Sequence, residues 1–250
     1  MLLAAEWSTH AEPAVVASDR VNGDSDVGTL RNKVIGSIGV AALVAGSLIA
    51  APIAAHGADP QTIQVLGIND FHGRIQANTT EAGAAVLAGA VDQLRTQYPQ
   101  TVFAAAGDLI GASTFESFIA KDKPTIDALN EAGLEVSAVG NHEFDQGYDD
   151  LVNRVMAPES ATNPYGGAQW AYLGANVRHT ADNSPALPET WTEDFNGTTV
   201  GFVGAVTDHL DELVSPGGIA GLTIEEPVVA ANREADKLGG RCRHRRAVGP

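Results

Sequence analysis

A short apolar stretch, Val136–Val139, runs directly into the polar sequence Gly140-Asn141-His142-Glu143-Phe144-Asp145. Two earlier apolar stretches end in the same way: Thr62–Ile68 leads into Asn69-Asp70-Phe71-His72-Gly73, and Thr101–Ala106 leads into Gly107-Asp108. Short uninterrupted apolar runs of this length are typical of buried strands. The sequence therefore predicts three strands whose carboxyl ends carry residues that can bind metals or move protons.

Amphipathic stretches lie between these strands. Helices are predicted over Glu81–Tyr98, from Pro124 to Gly133, and over Asp149–Met156. Two further strands are predicted at Trp170–Ala175 and Thr199–Val206, with a long loop at Asn176–Glu189. Strands interleaved with helices predict an α/β layered fold in which both faces of the sheet are covered.

The three polar strand ends are predicted to share one site, since ligands of open α/β sheets bind beyond the carboxyl ends of the strands. In an extended segment, Asp70 and His72 would point to one side, about 6.5 Å apart, and could reach one cation. A carboxylate with an imidazole suits Zn, Mn, Fe or Co better than Mg or Ca. An Asp-x-His pair alone is weak support for a metal site, because it occurs often by chance.

The other polar residues each have a structural and a functional interpretation. Asp108 is either a turn residue or a carboxylate that bridges two cations with its two oxygens. Asn141 is either a polar turn residue or an amide ligand of a second cation. His142 would then stay free to contact the substrate, and Asp145 would orient its imidazole.

The composition excludes several classes of protein. The chain has 250 residues, with 31 acidic and 15 basic side chains and a formal net charge of −16. This charge argues against a protein that binds a nucleic-acid polymer by neutralising its phosphates. The single cysteine, Cys242, excludes a disulfide framework and a cysteine-based zinc module.

Both ends of the chain differ from its centre. Residues 1–33 form a polar extension, expected to be unstructured to about residue 30, which ends in the basic residues Arg31 and Lys33. Residues 34–58 contain an uncharged run, 34–55, followed by Ala55-His56-Gly57-Ala58, and this order predicts an export signal with a processing site. An uncleaved membrane anchor over 34–55 is the alternative. Residues 59–238, with 26 acidic and 8 basic residues, form the predicted catalytic domain, and 239–250 form an atypical arginine-rich tail that is possibly out of frame.

The combination of strand ends resembles the calcineurin-like metallophosphoesterases. The sequences Ile68-Asn69-Asp70-Phe71-His72-Gly73 and Gly140-Asn141-His142-Glu143-Phe144-Asp145 are similar to the exported 5′-nucleotidase and 2′,3′-cyclic-nucleotide phosphodiesterase branch. Further similar segments are Leu173-Gly174-Ala175-Asn176-Val177, Val200-Gly201-Phe202-Val203-Gly204 and Leu213-Val214-Ser215-Pro216-Gly217. The resemblance implies a layered αββα sandwich, incomplete at its C-terminal end, in an exported hydrolase.

The resemblance also implies the chemistry. Asp70 and His72 would bind a first divalent cation, Asp108 would bridge two cations, and Asn141 would bind the second, with Zn, Mn or a similar metal at each position. His142, oriented by Asp145, would contact the substrate together with Asn141 and act in catalysis. A metal-bound hydroxide would hydrolyse a nucleotide or other small phosphoester.

The chain departs from the family pattern in its histidines. Three more metal-binding histidines are expected further along, one at a strand end and two in a Gly-His-x-His motif, but after Asn141 the histidines are His142, His179, His209 and His244. Four of seven ligands are then present, and the C-terminal domain that grips the nucleotide is missing. We therefore expect impaired activity. The alternatives are a non-catalytic fragment that binds a metal ion or nucleotide weakly, and a chain that fails to fold because a sheet edge stays unpaired.

Overall fold

A computed structural model describes residues 2–7 and 62–243, with side chains for 62–240. The predicted export signal at 34–58, most of the N-terminal extension and the end of the arginine-rich tail lie outside the described residues. In the part that is described, no helix combines the length and the apolar character that crossing a bilayer requires.

Strands and helices alternate through the described residues. The strands are β1 (Leu2–Trp7), β2 (Gln64–Ile68), β3 (Thr101–Ala105), β4 (Val136–Ala138), β5 (Ala171–Leu173), β6 (Val177–His179), β7 (Thr190–Phe195), β8 (Thr198–Gly204) and β9 (Leu222–Ile224). The α-helices are α1 (Ala84–Gln97), α2 (Phe115–Phe118), α3 (Lys123–Glu131), α4 (Tyr148–Asp150), α5 (Leu210–Leu213) and α6 (Pro227–Arg243). A π-helical turn, Leu151–Val155, continues α4, and 3₁₀ turns form at His142–Phe144 and Pro216–Ile219.

The first layer of strands is a parallel sheet in the order β2-β3-β4-β5. Side chains of β3 alternate between its two faces, as the pleat of a strand requires. Phe103 and Ala105 pack in one cluster with buried residues of α1 and α3, whereas Val102 and Ala104 pack in a second cluster with residues of β7 and β8. Both faces of the sheet are therefore covered.

The second layer is an antiparallel sheet in the order β1-β8-β7. It lies close to the parallel sheet, since a Cβ on Gly204 would stand 2.5 Å from the Cβ of Leu173. On its other face, a Cβ on Gly201 would stand 2.8 Å from Leu238 in α6. The layers are helices, parallel sheet, antiparallel sheet and helix, which confirms the αββα sandwich predicted from the sequence.

The predicted element boundaries largely agree with the structure. The helix predicted from Pro124 to Gly133 forms as α3, with proline in its first turn and Gly133 at φ +71° just after its end, the arrangement these two residues favour. The helix predicted over Glu81–Tyr98 forms as α1, and the one predicted over Asp149–Met156 forms as α4 and its π-helical continuation.

Several predictions were wrong. Residues 2–7 are not unstructured, because their backbone pairs with β8. The first strand is not fully buried: β2 lies at the edge of its sheet in the described residues, and Val65 is 45% exposed. The predicted loop at 176–189 contains β6, which pairs with β9. The helix α6 runs from Pro227 to Arg243, and the interpretation of residues 239–250 as an out-of-frame tail stays a prediction.

The buried side chain of Asn176, just before β6, links that strand to the residues that follow β8 and β9. The Asn176 side chain donates hydrogen bonds to the carbonyl oxygens of Val206 and Glu225, at 2.8 and 3.0 Å, and its oxygen accepts from the Val206 N–H. These contacts join residues far apart in the chain, so local sequence patterns did not reveal them.

Candidate metal centre

The candidate site lies at the carboxyl edge of the parallel sheet, where β2, β3 and β4 end side by side. The loops that follow β3 and β4 touch at their backbones, since a Cβ on Gly107 would stand 2.4 Å from the Gly140 nitrogen. Gly107 also has φ +98°, which disfavours other residues. Glycine at this position lets the two loops approach closely enough to share a site.

Three of the predicted ligands come together at this edge. One ligand atom each from Asp70, His72 and Asp108 lie within 4.8 Å of one another. The His72 Nε2 is 3.8 Å from Oδ1 of Asp70. Among the described residues, these three form the single group of histidine, cysteine and acidic side chains with this spacing.

The tautomer of His72 fits a metal ligand. Its Nδ1 lies 2.8 Å from the carbonyl oxygen of Gly111, which can only accept, so Nδ1 carries the proton. The Nε2 therefore presents a lone pair toward Asp70 and Asp108. A backbone carbonyl that orients a histidine in this manner is the usual outer-shell partner of metal-binding imidazoles. The residues present thus fit a divalent cation.

The backbone brings these ligands together by a route that the sequence did not predict. Asp70, His72 and Asp108 have φ angles of 51°, 46° and 55°, in the left-handed region. Asp70 and His72 therefore belong to a tight turn, and the extended geometry assumed for them was wrong. The turn is held against the next loop by N–H bonds from Asp70 to the Gly107 carbonyl and from His72 to the Asp108 carbonyl, both 3.2 Å. Left-handed residues other than glycine cluster at functional sites, because surrounding contacts must hold them there.

The Asp108 carboxylate connects this group to the loop after β4. Its Oδ1 accepts a 2.9 Å hydrogen bond from the His142 N–H, and a Cβ on Gly140 would lie 2.2 Å from the same oxygen. Asn141 lies between Gly140 and His142 in the chain, so its backbone lies next to the Asp108 carboxylate. No described protein group hydrogen-bonds the Asn141 side chain, and its role as a ligand stays a prediction.

The predicted histidine–aspartate pair also forms. The His142 Nδ1 donates to Oδ2 of Asp145 at 3.0 Å, and the same oxygen accepts from the Ala112 N–H at 3.1 Å. The His142 ring meets the His72 ring edge to face, with centroids 4.9 Å apart. Partial burial lowers the pKa of His142, but the hydrogen bond and charge of Asp145, with the charges of Asp108 and Glu143, outweigh this effect and raise the pKa overall.

Glu143 is a buried residue whose side chain hydrogen-bonds the backbone of the two loops at the site. The sequence analysis assigned it no role. Its buried carboxylate accepts three backbone N–H bonds: from Leu109 at 2.9 Å, from Asp108 at 2.9 Å and from Gly140 at 2.6 Å. The Tyr172 hydroxyl approaches it at 3.4 Å. Burial raises the pKa of the Glu143 carboxyl, and the three N–H bonds oppose that rise only in part. An acid inside a polar motif carries no local signal of which way it points.

Gly111 is the second residue that the sequence did not single out. Its carbonyl orients His72, and a Cβ on it would stand 2.3 Å from the His142 carbonyl oxygen and 2.7 Å from Oδ2 of Asp145. Its φ of +74° is again left-handed. A larger residue at this position would therefore separate the turn that carries Asp70 and His72 from the His142–Asp145 pair.

The chain is similar in sequence to several known bacterial proteins. No family model matches the sequence. The chain is 28% identical to endonuclease YhcR of Bacillus subtilis over 190 residues, which are 70% of this chain and 16% of that protein. It is 33% identical to the cell wall protein Lmo0130 of Listeria monocytogenes over 184 residues, 63% of this chain and 23% of that protein. It is also 33% identical over 153 residues to an uncharacterized protein in the pqq-V 5′ region of Acinetobacter calcoaceticus, 51% of this chain and 75% of that one.

Solved structures give the same fold. The calcineurin-like phosphoesterase YfkN of Bacillus subtilis superposes with a TM-score of 0.57 at 22% identity, over 73% of this chain and 60% of that one. A 5′-nucleotidase precursor of Thermus thermophilus superposes with a TM-score of 0.59 at 19% identity, over 72% and 35% of the two chains.

The chain therefore has the fold of calcineurin-like phosphoesterases and 5′-nucleotidases, and its sequence relatives include the 5′-nucleotidase of Rattus norvegicus, to which it is 24% identical over 70% of this chain and 31% of that protein. It spans less than a quarter of the length of YhcR and of Lmo0130.

Proposed function

We propose that this chain hydrolyses nucleotide phosphoesters in a metal-dependent reaction of the 5′-nucleotidase or 2′,3′-cyclic-nucleotide phosphodiesterase type. The observation that supports this most is the convergence of Asp70, His72 and Asp108 from two adjacent strand ends. The proposed catalytic domain is 59–238, and the substrate is a nucleotide or another small phosphoester.

Asp70 and His72 would hold one divalent cation, Zn or Mn, and Asn141 would help to hold a second, with Asp108 between them. Carboxylate, imidazole and amide ligands together suit these metals. When bound, such cations supply Lewis acidity and neutralise negative charge on a phosphoryl group. The chain itself contributes the left-handed turns that aim the ligands and the Gly111 carbonyl that fixes the His72 tautomer.

His142 would contact the phosphoryl group or its leaving oxygen as the catalytic residue. Its Nδ1 is committed to Asp145, which leaves the Nε2 side of the ring for the substrate. The carboxylate of Asp145 favours the protonated imidazole, which can donate a proton or a hydrogen bond to developing negative charge. The Ala112 N–H holds that carboxylate in place.

The test combines metal binding with turnover. Calorimetric titration of the metal-free chain with Mn²⁺, followed by a phosphate-release assay on AMP, compares the wild type with His72→Ala and with His209→Ala, an exposed histidine that serves as the control. We expect His72→Ala to lose Mn²⁺ affinity and activity, and His209→Ala to keep both. Mn²⁺ binding that is absent, or that His72→Ala leaves unchanged, contradicts the proposal. Binding without turnover supports the alternative of a non-catalytic metal binder.

One relative favours a second candidate, the cleavage of phosphodiesters in nucleic acid, because YhcR is named an endonuclease. The net charge of −16 opposes this, since a polyanion would be repelled except where cations neutralise the site. Incubation with single-stranded DNA and Mn²⁺ distinguishes the two: cleavage of the polymer at a rate comparable to AMP hydrolysis would favour the endonuclease.

We further propose that the protein is exported through the signal in 34–58. The similarity to a cell wall protein supports this location. Processing near Ala58 would remove β1 and leave the outer edge of β8 unpaired. N-terminal sequencing of the protein recovered from the cell envelope decides between a processed chain, an anchor retained at 34–55 and an intact chain that keeps β1.

A further inference from the structure

The segment between α2 and α3 contains an aspartate that does not cap its own helix. Asp122 directly precedes α3, where an aspartate commonly accepts a hydrogen bond from an N–H of the first turn. Within the described residues of α3, its side chain accepts no such bond. The φ angles of Lys121 and Asp122 are 54° and 62°, both left-handed, and residues other than glycine keep this conformation only where surrounding contacts hold them. The Asp122 side chain therefore has partners elsewhere.

Among the described residues, the Asp122 carboxylate is buried without a basic partner. Asp122 is 8% exposed, and no ion pair in the part of the chain that the structure describes includes it. A buried carboxylate is costly unless hydrogen bonds compensate for its lost hydration. Its Oδ1 accepts from the Ser117 hydroxyl at 2.8 Å, and its Oδ2 accepts from the Gly111 N–H at 3.4 Å. The acid thus joins α2 to the loop that follows β3.

The Gly111 N–H lies next to the peptide unit that orients the proposed metal ligand. The Gly111 carbonyl accepts from Nδ1 of His72. The N–H of that same peptide unit, which belongs to Ala112, donates to Asp145. Because glycine has no side chain, its backbone rotates more freely than that of other residues. The direction of the Gly111 carbonyl therefore depends on contacts from outside, and Asp122 supplies one of them.

The partner of Asp122 also packs on the turn that follows His72. A Cβ on Gly73 would stand 2.6 Å from the Ser117 Cβ. The hydroxyls of Ser117 and Thr125 lie 2.6 Å apart, and both residues are fully buried. Ser117, Asp122 and Thr125, here called the α2–α3 cluster, therefore support this turn from the interior of the protein.

We propose that Asp122 is a positioning residue for the candidate metal centre. By accepting from the Gly111 N–H, it fixes the direction of the neighbouring carbonyl, which holds the His72 proton on Nδ1 and leaves Nε2 free for a cation. A metal-binding histidine is oriented by such a bond at its second ring nitrogen. This proposal rests on the proposed function, because the cation held by His72 is part of that function.

The test uses variants that separate the hydrogen bond from the general stability of the cluster. Asp122→Gly, with Asp122→Ala in parallel, removes the acceptor, and glycine suits the left-handed backbone at this position. Asp122→Asn keeps an oxygen that can accept from the Gly111 N–H, while its NH₂ group can donate to the Ser117 hydroxyl. The matched control is Thr125→Val, which removes a buried hydroxyl from the same cluster and leaves both bonds of Asp122 in place.

Two measurements follow the effect on His72. Proton–nitrogen NMR at about pH 8, where an ordinary histidine is neutral, gives the tautomer in the metal-free chain, and the signals that vanish in His72→Ala identify the residue. Calorimetric titration gives the Mn²⁺ affinity. We expect the wild type, Asp122→Asn and Thr125→Val to show the Nδ1–H tautomer alone. Asp122→Gly and Asp122→Ala should show both tautomers and bind Mn²⁺ about tenfold more weakly.

Several results would overturn this role. A wild type without a fixed His72 tautomer, or an Asp122→Gly variant that keeps the tautomer or the Mn²⁺ affinity of the wild type, would do so. Thr125→Val as defective as Asp122→Gly would show general loosening of the cluster, and Asp122→Asn as defective would exclude the acceptor role. Because the tautomer is measured without metal, a chain that binds no Mn²⁺ contradicts the proposed function and still reveals whether Asp122 orients His72.

Discussion

Replacing Glu143 by glutamine should weaken both the fold and the metal centre, although the change removes no atom from the core. Both carboxylate oxygens accept backbone N–H bonds: Oε1 accepts from Leu109, and Oε2 accepts from Asp108 and Gly140. A glutamine has one acceptor oxygen and one NH₂ group. Whichever way the amide is oriented, its NH₂ group faces at least one N–H donor.

The size of the effect follows from the number of donors that lose their acceptor. Leaving one buried N–H unpaired costs about 1–3 kcal/mol. The glutamine leaves one or two unpaired, so we expect a loss of about 2–3 kcal/mol in the free energy of unfolding. At about 2–4 °C per kcal/mol for a domain of this size, the Tm should fall by about 5–10 °C. Because one of the donors is the Asp108 N–H, Mn²⁺ affinity should fall by about tenfold or more, as for other outer-shell changes.

Thermal unfolding followed by circular dichroism in metal-free buffer measures the first effect, and calorimetric titration with Mn²⁺ measures the second. The control is Glu131→Gln, because Glu131 is exposed at the end of α3 and surface changes of this kind stay within about 0.5 kcal/mol. A Glu143→Gln variant whose Tm lies within about 2 °C of the wild type and whose Mn²⁺ affinity is unchanged would refute the assigned role.

Three further predictions concern separate parts of the molecule. Gly140→Ala places a Cβ 2.2 Å from Oδ1 of Asp108, so calorimetric titration should show loss of Mn²⁺ binding. The control Gly89→Ala places its Cβ in open space on α1, and it should keep Mn²⁺ binding and raise the free energy of unfolding by up to about 1 kcal/mol. Equal Mn²⁺ binding by the two variants contradicts the argument that crowding displaces Asp108. Partial burial raises the pKa of Glu225, but Arg233 and Arg178 lower it overall. At pH values above the ordinary glutamate pKa of about 4.3, this carboxylate therefore stabilises the folded chain, and that stabilisation is lost as the pH falls through its lower folded pKa. The acid-side decline of the Tm should therefore be shallower in Glu225→Gln, and parallel curves would exclude the effect. Deleting residues 1–7 should leave the β8 edge unpaired and cause self-association on size-exclusion chromatography; a monomer at the same concentration would show that β1 does not protect that edge.

The sequence predicted the location of the site better than its geometry. Three apolar runs that end in Asp70, Asp108 and Asn141 were enough to place these residues together, because parallel strands bring their carboxyl ends to one edge. The pairing of His142 with Asp145 was predicted separately, from the acid that follows the histidine by three residues. The sequence did not predict the left-handed turns, because Asp and His carry no signal as strong as that of glycine for positive φ.

The sequence also left out the contacts made over long distances in the chain. β1 pairs with β8 across almost two hundred residues, and nothing in the sequence Leu2–Trp7 identifies its partner. The strands β6 and β9 have only three residues each, and the buried amide of Asn176 bonds to residues that follow β8 and β9. Short strands held by tertiary contacts lack the periodic pattern on which sequence analysis depends.

The positive φ angles of Asp70 and Asp108 impose a compromise between robustness and activity. A residue other than glycine in that conformation costs on the order of 1–3 kcal/mol, and glycine or asparagine would relieve much of this at either position. The substitutions that raise the free energy of unfolding of the metal-free protein are therefore the ones that remove its proposed cation ligands. A screen that selects only for a higher Tm would therefore enrich variants that no longer bind the cation. Engineering of thermal stability in this protein should leave both aspartates unchanged.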